Sequence, residues 1–120
     1  MPPDPPPPRC RWHEDDTIAF CRQNNITIIN YAPLALGERL ADPDVVAVAA
    51  AHAITPAQAL LAWGLQWTGG VVIPRSSNAT HMRDNLAVFD KGVVLTPSEL
   101  ALLAGKPQKK IFNVYCQPAC

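Results

Sequence analysis

Residues 71–85 read Val-Val-Ile-Pro-Arg-Ser-Ser-Asn-Ala-Thr-His-Met-Arg-Asp-Asn, and their types suit the capture of an anion. Val71, Val72 and Ile73 form a short β-branched run, the composition of a buried strand. Pro74 cannot donate to a sheet ladder and ends it. Arg75, Ser76, Ser77 and Asn78 follow, and Asn78 is a good N-cap for a helix starting at Ala79. A helix N-terminus offers unpaired N–H groups and a positive partial charge. With an arginine, hydroxyls and an amide beside it, such a turn should bind phosphate. His81 and Asn85 share one face of the helix within reach of Arg75, and Asp84 stands next to them.

A turn of this kind works only when a sheet and packed helices hold it. Ile26-Thr27-Ile28-Ile29-Asn30-Tyr31 is the clearest strand, apolar enough to be covered on both faces as parallel strands are. Before it, Glu14, Asp15 and Asp16 suit the first turn of a helix to about Gln23, with Ile18, Cys21 and Phe20 as its apolar side. These acids read as first-turn residues rather than as metal ligands with His13. After a loop over Gly37–Ala41, Asp42-Pro43 opens a helix to His52 with an N-cap and a proline at N1. Thr55-Pro56-Ala57-Gln58 is a capping box for the next helix, which carries Trp63 and Trp67 on one face and stops at Gly69-Gly70. Beyond the phosphate turn, Met82, Leu86 and Phe89 recur at helical spacing and predict a buried face. Thr96-Pro97-Ser98-Glu99 is a second capping box, leading Leu100, Leu102 and Leu103 to a C-cap at Gly105.

Three of these stretches together resemble the aldo-keto reductases, NADP-dependent oxidoreductases built on a (β/α)8 barrel. Ile73-Pro74-Arg75-Ser76, then Asp84-Asn85, then Val88-Phe89-Asp90 is similar to the family's Ile-Pro-Lys-Ser, Glu-Asn and Phe-Asp. Asn30-Tyr31-Ala32-Pro33-Leu34 is similar to Ala-Tyr-Ser-Pro-Leu, and Thr55 to Trp63 to Thr-Pro-Ala-Gln-(Val/Ala)-Leu-Leu-Arg-Trp. The resemblance implies an α/β fold, a partial TIM barrel made of the C-terminal βα units only. It implies NADP(H) as cofactor. Arg75, Ser76 and Asn78 would form the 2′-phosphate turn, with Arg75 where lysine is usual. Asp84 and Asn85 would contact the adenine, with His81 beside it where many members have arginine. Tyr31 would stack on the nicotinamide, and Leu34 would offer its backbone to the pyrophosphate. The family's proton-donating Tyr, with its Lys, Asp and His, belongs to the N-terminal half. The expectation is therefore a cofactor-binding segment of a carbonyl reductase that is inactive alone. It would be completed by an N-terminal barrel half or would self-associate.

Length and composition set the limits. At 120 residues the chain is about half of the roughly 250 that a complete barrel of this kind needs. An apolar content of 48% supports a core, so composition does not predict overall disorder. Ten basic and ten acidic residues cancel without a basic stripe, which argues against nucleic acid. The longest apolar run, Val45–Ala51, is too short for a membrane span, and no signal peptide is visible, so the expected location is cytoplasmic. Residues 1–11 read as a proline-rich disordered tail, 12–105 as the barrel segment and 106–120 as an irregular tail. Cys10, Cys21, Cys116 and Cys120 have no metal-site spacing. The competing reading is a non-catalytic interaction protein acting through the proline tail or exposed strand edges.

Overall fold

The computed structural model describes residues 15–31, Leu34 and residues 39–104. The proline-rich stretch, the Gly105 cap, Cys10, Cys116 and Cys120 lie outside the described residues. Along the chain run helix α1 (Asp15–Gln23), strand β1 (Ile29–Tyr31), helices α2 (Pro43–Ala51) and α3 (Pro56–Thr68), strand β2 (Val71–Ile73), and helices α4 (Ala79–Asp90) and α5 (Pro97–Ala104).

Helix α3 is the centre of the fold. Gln58, Ala59, Leu60, Leu61, Ala62, Trp63, Gly64 and Thr68 are all buried, so it is covered on every side over two turns. It packs against α2, α4, α5 and β2. Val45, Val48 and Ala49 of α2, Val88 of α4, Leu95 in the loop before α5 and Leu103 of α5 complete one apolar core with it. Trp63 and Trp67 stack at 5.4 Å between ring centroids, and Trp63 Nε1 donates to the Leu100 carbonyl at 2.9 Å. Both tryptophans are therefore packing residues. Among the described residues no single helix is long and apolar enough to cross a membrane.

The helix starts follow the local chemistry. Asp42 accepts from the Asp44 N–H at 2.9 Å, with Pro43 at N1. Thr55 and Gln58 form a complete capping box at the head of α3, and Thr96 and Glu99 form its counterpart at α5. Helix α1 gives way to a turn at Asn24-Asn25, and the φ of Asn25, 56°, lies in the left-handed region that asparagine tolerates. It buries Ile18, half-covers Cys21 and leaves Phe20 exposed.

β1 and β2 pair in parallel, with Ile29, Asn30 and Tyr31 opposite Val71, Val72 and Ile73. The strand expected from Ile26 is thus shorter than its apolar run. The Ile26 N–H turns back to the Cys21 carbonyl at 2.8 Å, and β2 is itself only three residues long. Asn30 Nδ2 donates to Thr68 Oγ1 and to the Val71 carbonyl, both at 2.9 Å, and ties the strand pair to the end of α3.

A second expectation is overturned. Met82, Leu86 and Phe89 are 49%, 66% and 62% exposed rather than buried. Helix α4 turns Val88 and the Asp84 carbonyl toward α3, and the flank carrying the three apolar residues has no covering element among the described residues.

A side-chain hydrogen bond joins the ends of two helices. His52, the C-cap of α2, sits with Nε2 at 2.8 Å from Oε2 of Glu99 in the first turn of α5. The hydrogen bond from His52, then that from the Thr96 N–H, holds the Glu99 carboxyl below the usual glutamate range. A carboxylate with a depressed folded-state pKa stabilises the fold above its unfolded pKa and loses that contribution as pH falls through the folded value. Glu99→Gln is therefore expected to cost about 1 kcal/mol at neutral pH. The gap in Tm between the two proteins should close as the medium falls below about pH 4. A gap unchanged into strong acid would contradict this assignment.

Candidate functional site

The strand ends and helix starts meet at one edge of the core. β1 and β2 run parallel, so their C-terminal ends point the same way, and the helices that follow begin on that side. β2 ends at Ile73 and Pro74, and the chain turns through Arg75–Asn78 into α4. The turn is braced from within. The Asn78 N–H donates to Ser76 Oγ at 3.1 Å, and Asn78 Oδ1 accepts from the Thr80 and His81 N–H groups at 2.9 and 3.3 Å. Asn78 thus caps α4, as its place after a polar turn predicts.

A cleft of about 290 Å³ opens beside this turn. Arg75, Ser76, His81, Asp84 and Asn85 form one wall, the head of α3 at Thr55, Pro56 and Ala57 forms the other, and Leu34 and Leu40 close it. Five polar residues singled out by type and spacing are therefore brought together, with Leu34 across from them. Asn78 is not among the lining residues, because its carboxamide is spent on the cap. Tyr31 holds the last position of β1; its side chain lies outside the described residues.

Charge is graded along the cleft. Arg75 and Ser76 stand before the first turn of α4, where the helix N-terminus also favours an anion. Asp84 lies six residues beyond the cap, about 9 Å along the axis at 1.5 Å per residue. A phosphate at the arginine end is therefore not opposed at contact distance by the carboxylate. The far end offers acceptor oxygen at Asp84 and both donor and acceptor at Asn85, the groups needed to read the edge of a base. Pro56, Ala57 and the two leucines supply apolar surface for a flat ring. The volume suits one end of a dinucleotide rather than the whole of it.

Thr55, Pro56, Ala57 and Leu40 are the lining residues that the motifs did not point to. Chain order gives a partial signal: α3 ends at Thr68, just before β2 starts at Val71, so a helix packed back along that strand has its head near the strand's C-terminal end, but which residues then face the turn depends on docking.

A family model of the Aldo/keto reductase family matches residues 10–106. Methylglyoxal reductase DkgB of Yersinia pestis is 36% identical over 89 residues, which covers 74% of this chain and 32% of that protein. An aldo-keto reductase of Mycobacterium sp. (strain MCS) is 48% identical over 83 residues, or 69% of this chain and 28% of that one. Among solved structures, a variant of Gox0644 in complex with NADPH superposes with a TM-score of 0.72 at 32% identity, covering 82% of this chain and 35% of that one. The chain belongs to the aldo-keto reductase family, and its α/β fold matches part of the fold of those relatives. It spans about a third of the length of the curated relatives it matches.

Proposed function

We propose that the cleft binds the adenosine 2′-phosphate end of NADP(H), and that the chain is the cofactor-holding portion of an NADP-dependent carbonyl reductase. The observation that carries the reading is the convergence of Arg75 and Ser76 at the α4 N-terminus with Asp84 and Asn85 further along the same helix. When bound, the nicotinamide supplies a hydride. The residues of this chain bind and orient. Arg75 would grip the phosphate with its forked donors, and Ser76 would turn its hydroxyl from Asn78 toward an oxygen. Asn85 and Asp84 would take the adenine edge, with His81 over its face. Tyr31 and Leu34 would hold the nicotinamide and pyrophosphate. The family's proton-donating residues match no motif in this chain, so binding rather than turnover is the proper measurement.

The test is calorimetry with both dinucleotides. NADP(H) should bind more tightly than NAD(H), and Arg75→Ala should remove roughly 1.5–3 kcal/mol of NADP(H) affinity while leaving NAD(H) almost unaffected. Equal affinities for the two cofactors would end this reading. A partner supplying the rest of the barrel, or a second copy of the chain, belongs to the same proposal. Its support is the uncovered apolar flank of α4.

A further inference from the structure

The two walls of the cleft are carried by different helices, and a buried side chain joins them. Gln58 is 1% exposed, among the least accessible polar side chains described. Its Oε1 accepts from the Thr55 N–H at 3.1 Å, completing the capping box at the head of α3. Its Nε2 donates at 2.7 Å to the carbonyl of Asp84, inside α4. Thr55 and Asp84 both line the cleft, from opposite sides. A helix carbonyl has two lone pairs, so Asp84 can take this bond beside its own helical one.

The capping box requires only the oxygen of the amide. Glutamate would serve that purpose equally well and would add a favourable charge at the helix start. The nitrogen is what glutamine adds, and it goes to α4. From this we infer that Gln58 is a positioning residue for the cleft: its amide fixes α4, and with it His81, Asp84 and Asn85, at a set distance from the head of α3. Two bonds at one buried planar group leave little freedom, since breaking either strands a polar atom away from water. The effect on cofactor binding rests on the NADP(H) reading above; the clamp does not.

The same helix contains a matched control. Gln66 also spans two backbone groups, donating from Nε2 to the Val93 carbonyl and accepting at Oε1 from the Leu95 N–H, each at 2.8 Å. It holds the loop before α5 and lines no part of the cleft. Gln58→Leu and Gln66→Leu each delete two such bonds, and because Gln58 is buried and Gln66 half-buried, the loss of Tm should be at least as large for Gln58→Leu.

The two variants should part in the cleft. In the full chain, Gln58→Leu should weaken NADP(H) binding about tenfold or more, and Gln66→Leu less than about twofold. Gln58→Glu keeps the cap and sets a carboxylate against the Asp84 carbonyl. It should bind poorly at about pH 8 and recover toward about pH 5, where the protonated acid can donate again. The readout is its Kd relative to the unsubstituted chain at each pH, because Arg75, His81 and Asp84 line the cleft in both. Amide exchange over residues 81–88, measured without nucleotide, should quicken in Gln58→Leu and not in Gln66→Leu. Equal weakening by both leucine variants, or unchanged exchange in Gln58→Leu, would overturn the inference. If the unsubstituted chain binds neither dinucleotide, the cofactor reading fails, and the exchange comparison alone decides the clamp.

Discussion

Gly70→Ala is expected to cost about 3 kcal/mol or more and to part the two strands. A Cβ at Gly70 would lie 2.1 Å from the Ile28 carbonyl oxygen, 2.9 Å from its carbon and 3.2 Å from its Cα. All three are backbone atoms, so no side-chain rotation relieves the clash. That same carbonyl accepts the Val71 N–H at 2.8 Å, the bond that brings β2 alongside β1. Moving Ile28 away to admit a methyl group breaks this bond and pulls on the three-residue ladder behind it. Gly92 is the natural comparison. Its φ of 57° is unfavourable for alanine, but nothing lies within 4 Å of an added Cβ. Gly92→Ala should cost only the left-handed strain, about 1 kcal/mol. Thermal unfolding followed by far-ultraviolet circular dichroism should rank the two variants in that order. Similar losses for both would show that the approach of Gly70 to Ile28 is not what holds the strands together.

The contrast between those glycines shows what a sequence conceals. Gly69-Gly70 is legible as a helix stop, since a left-handed residue after a helix is a local requirement, and Gly69 has a φ of 67°. The close approach of Gly70 to a residue 42 positions earlier is not local, and no pattern announces it. The same division runs through the rest of the chain. Asn78, Thr55 and Thr96 are readable as caps because each bonds to backbone two or three residues on. Gln58 is readable as the N3 residue of its capping box, while its second bond, to Asp84, depends on how α3 and α4 dock. The Ile26–Tyr31 run shows the true composition of a strand, but composition does not fix how far a partner extends. Five polar residues of the cleft were legible because β2, the turn and α4 are contiguous in sequence. The opposite wall was not, because it arrives through the fold.

Met82, Leu86 and Phe89 carry the second large prediction. Their spacing of four and three correctly marks one face of α4, yet that face is open. It borders a groove of about 340 Å³ whose lining includes Leu61, Leu65, Val72 and Pro74. Ile29, Val71 and Ile73 are also 61%, 44% and 52% exposed, so one surface of the strand pair is uncovered as well. Since β1 and β2 pair only with each other among the described residues, each leaves a strand edge without a neighbour there. Apolar faces and open parallel edges promote association with other chains. Covering the three α4 side chains is worth about 4 kcal/mol, because half to two-thirds of each is still exposed and a full burial is worth about 1.5–3 kcal/mol. That corresponds to nearly a thousandfold in Kd. The purified chain is therefore expected to sediment as more than a monomer and to bind a hydrophobic dye. Replacing Met82, Leu86 and Phe89 together with glutamine should lower both signals while leaving the core residue Val88 in place. A monomer that unfolds cooperatively and ignores the dye would show that this face is already satisfied within the chain.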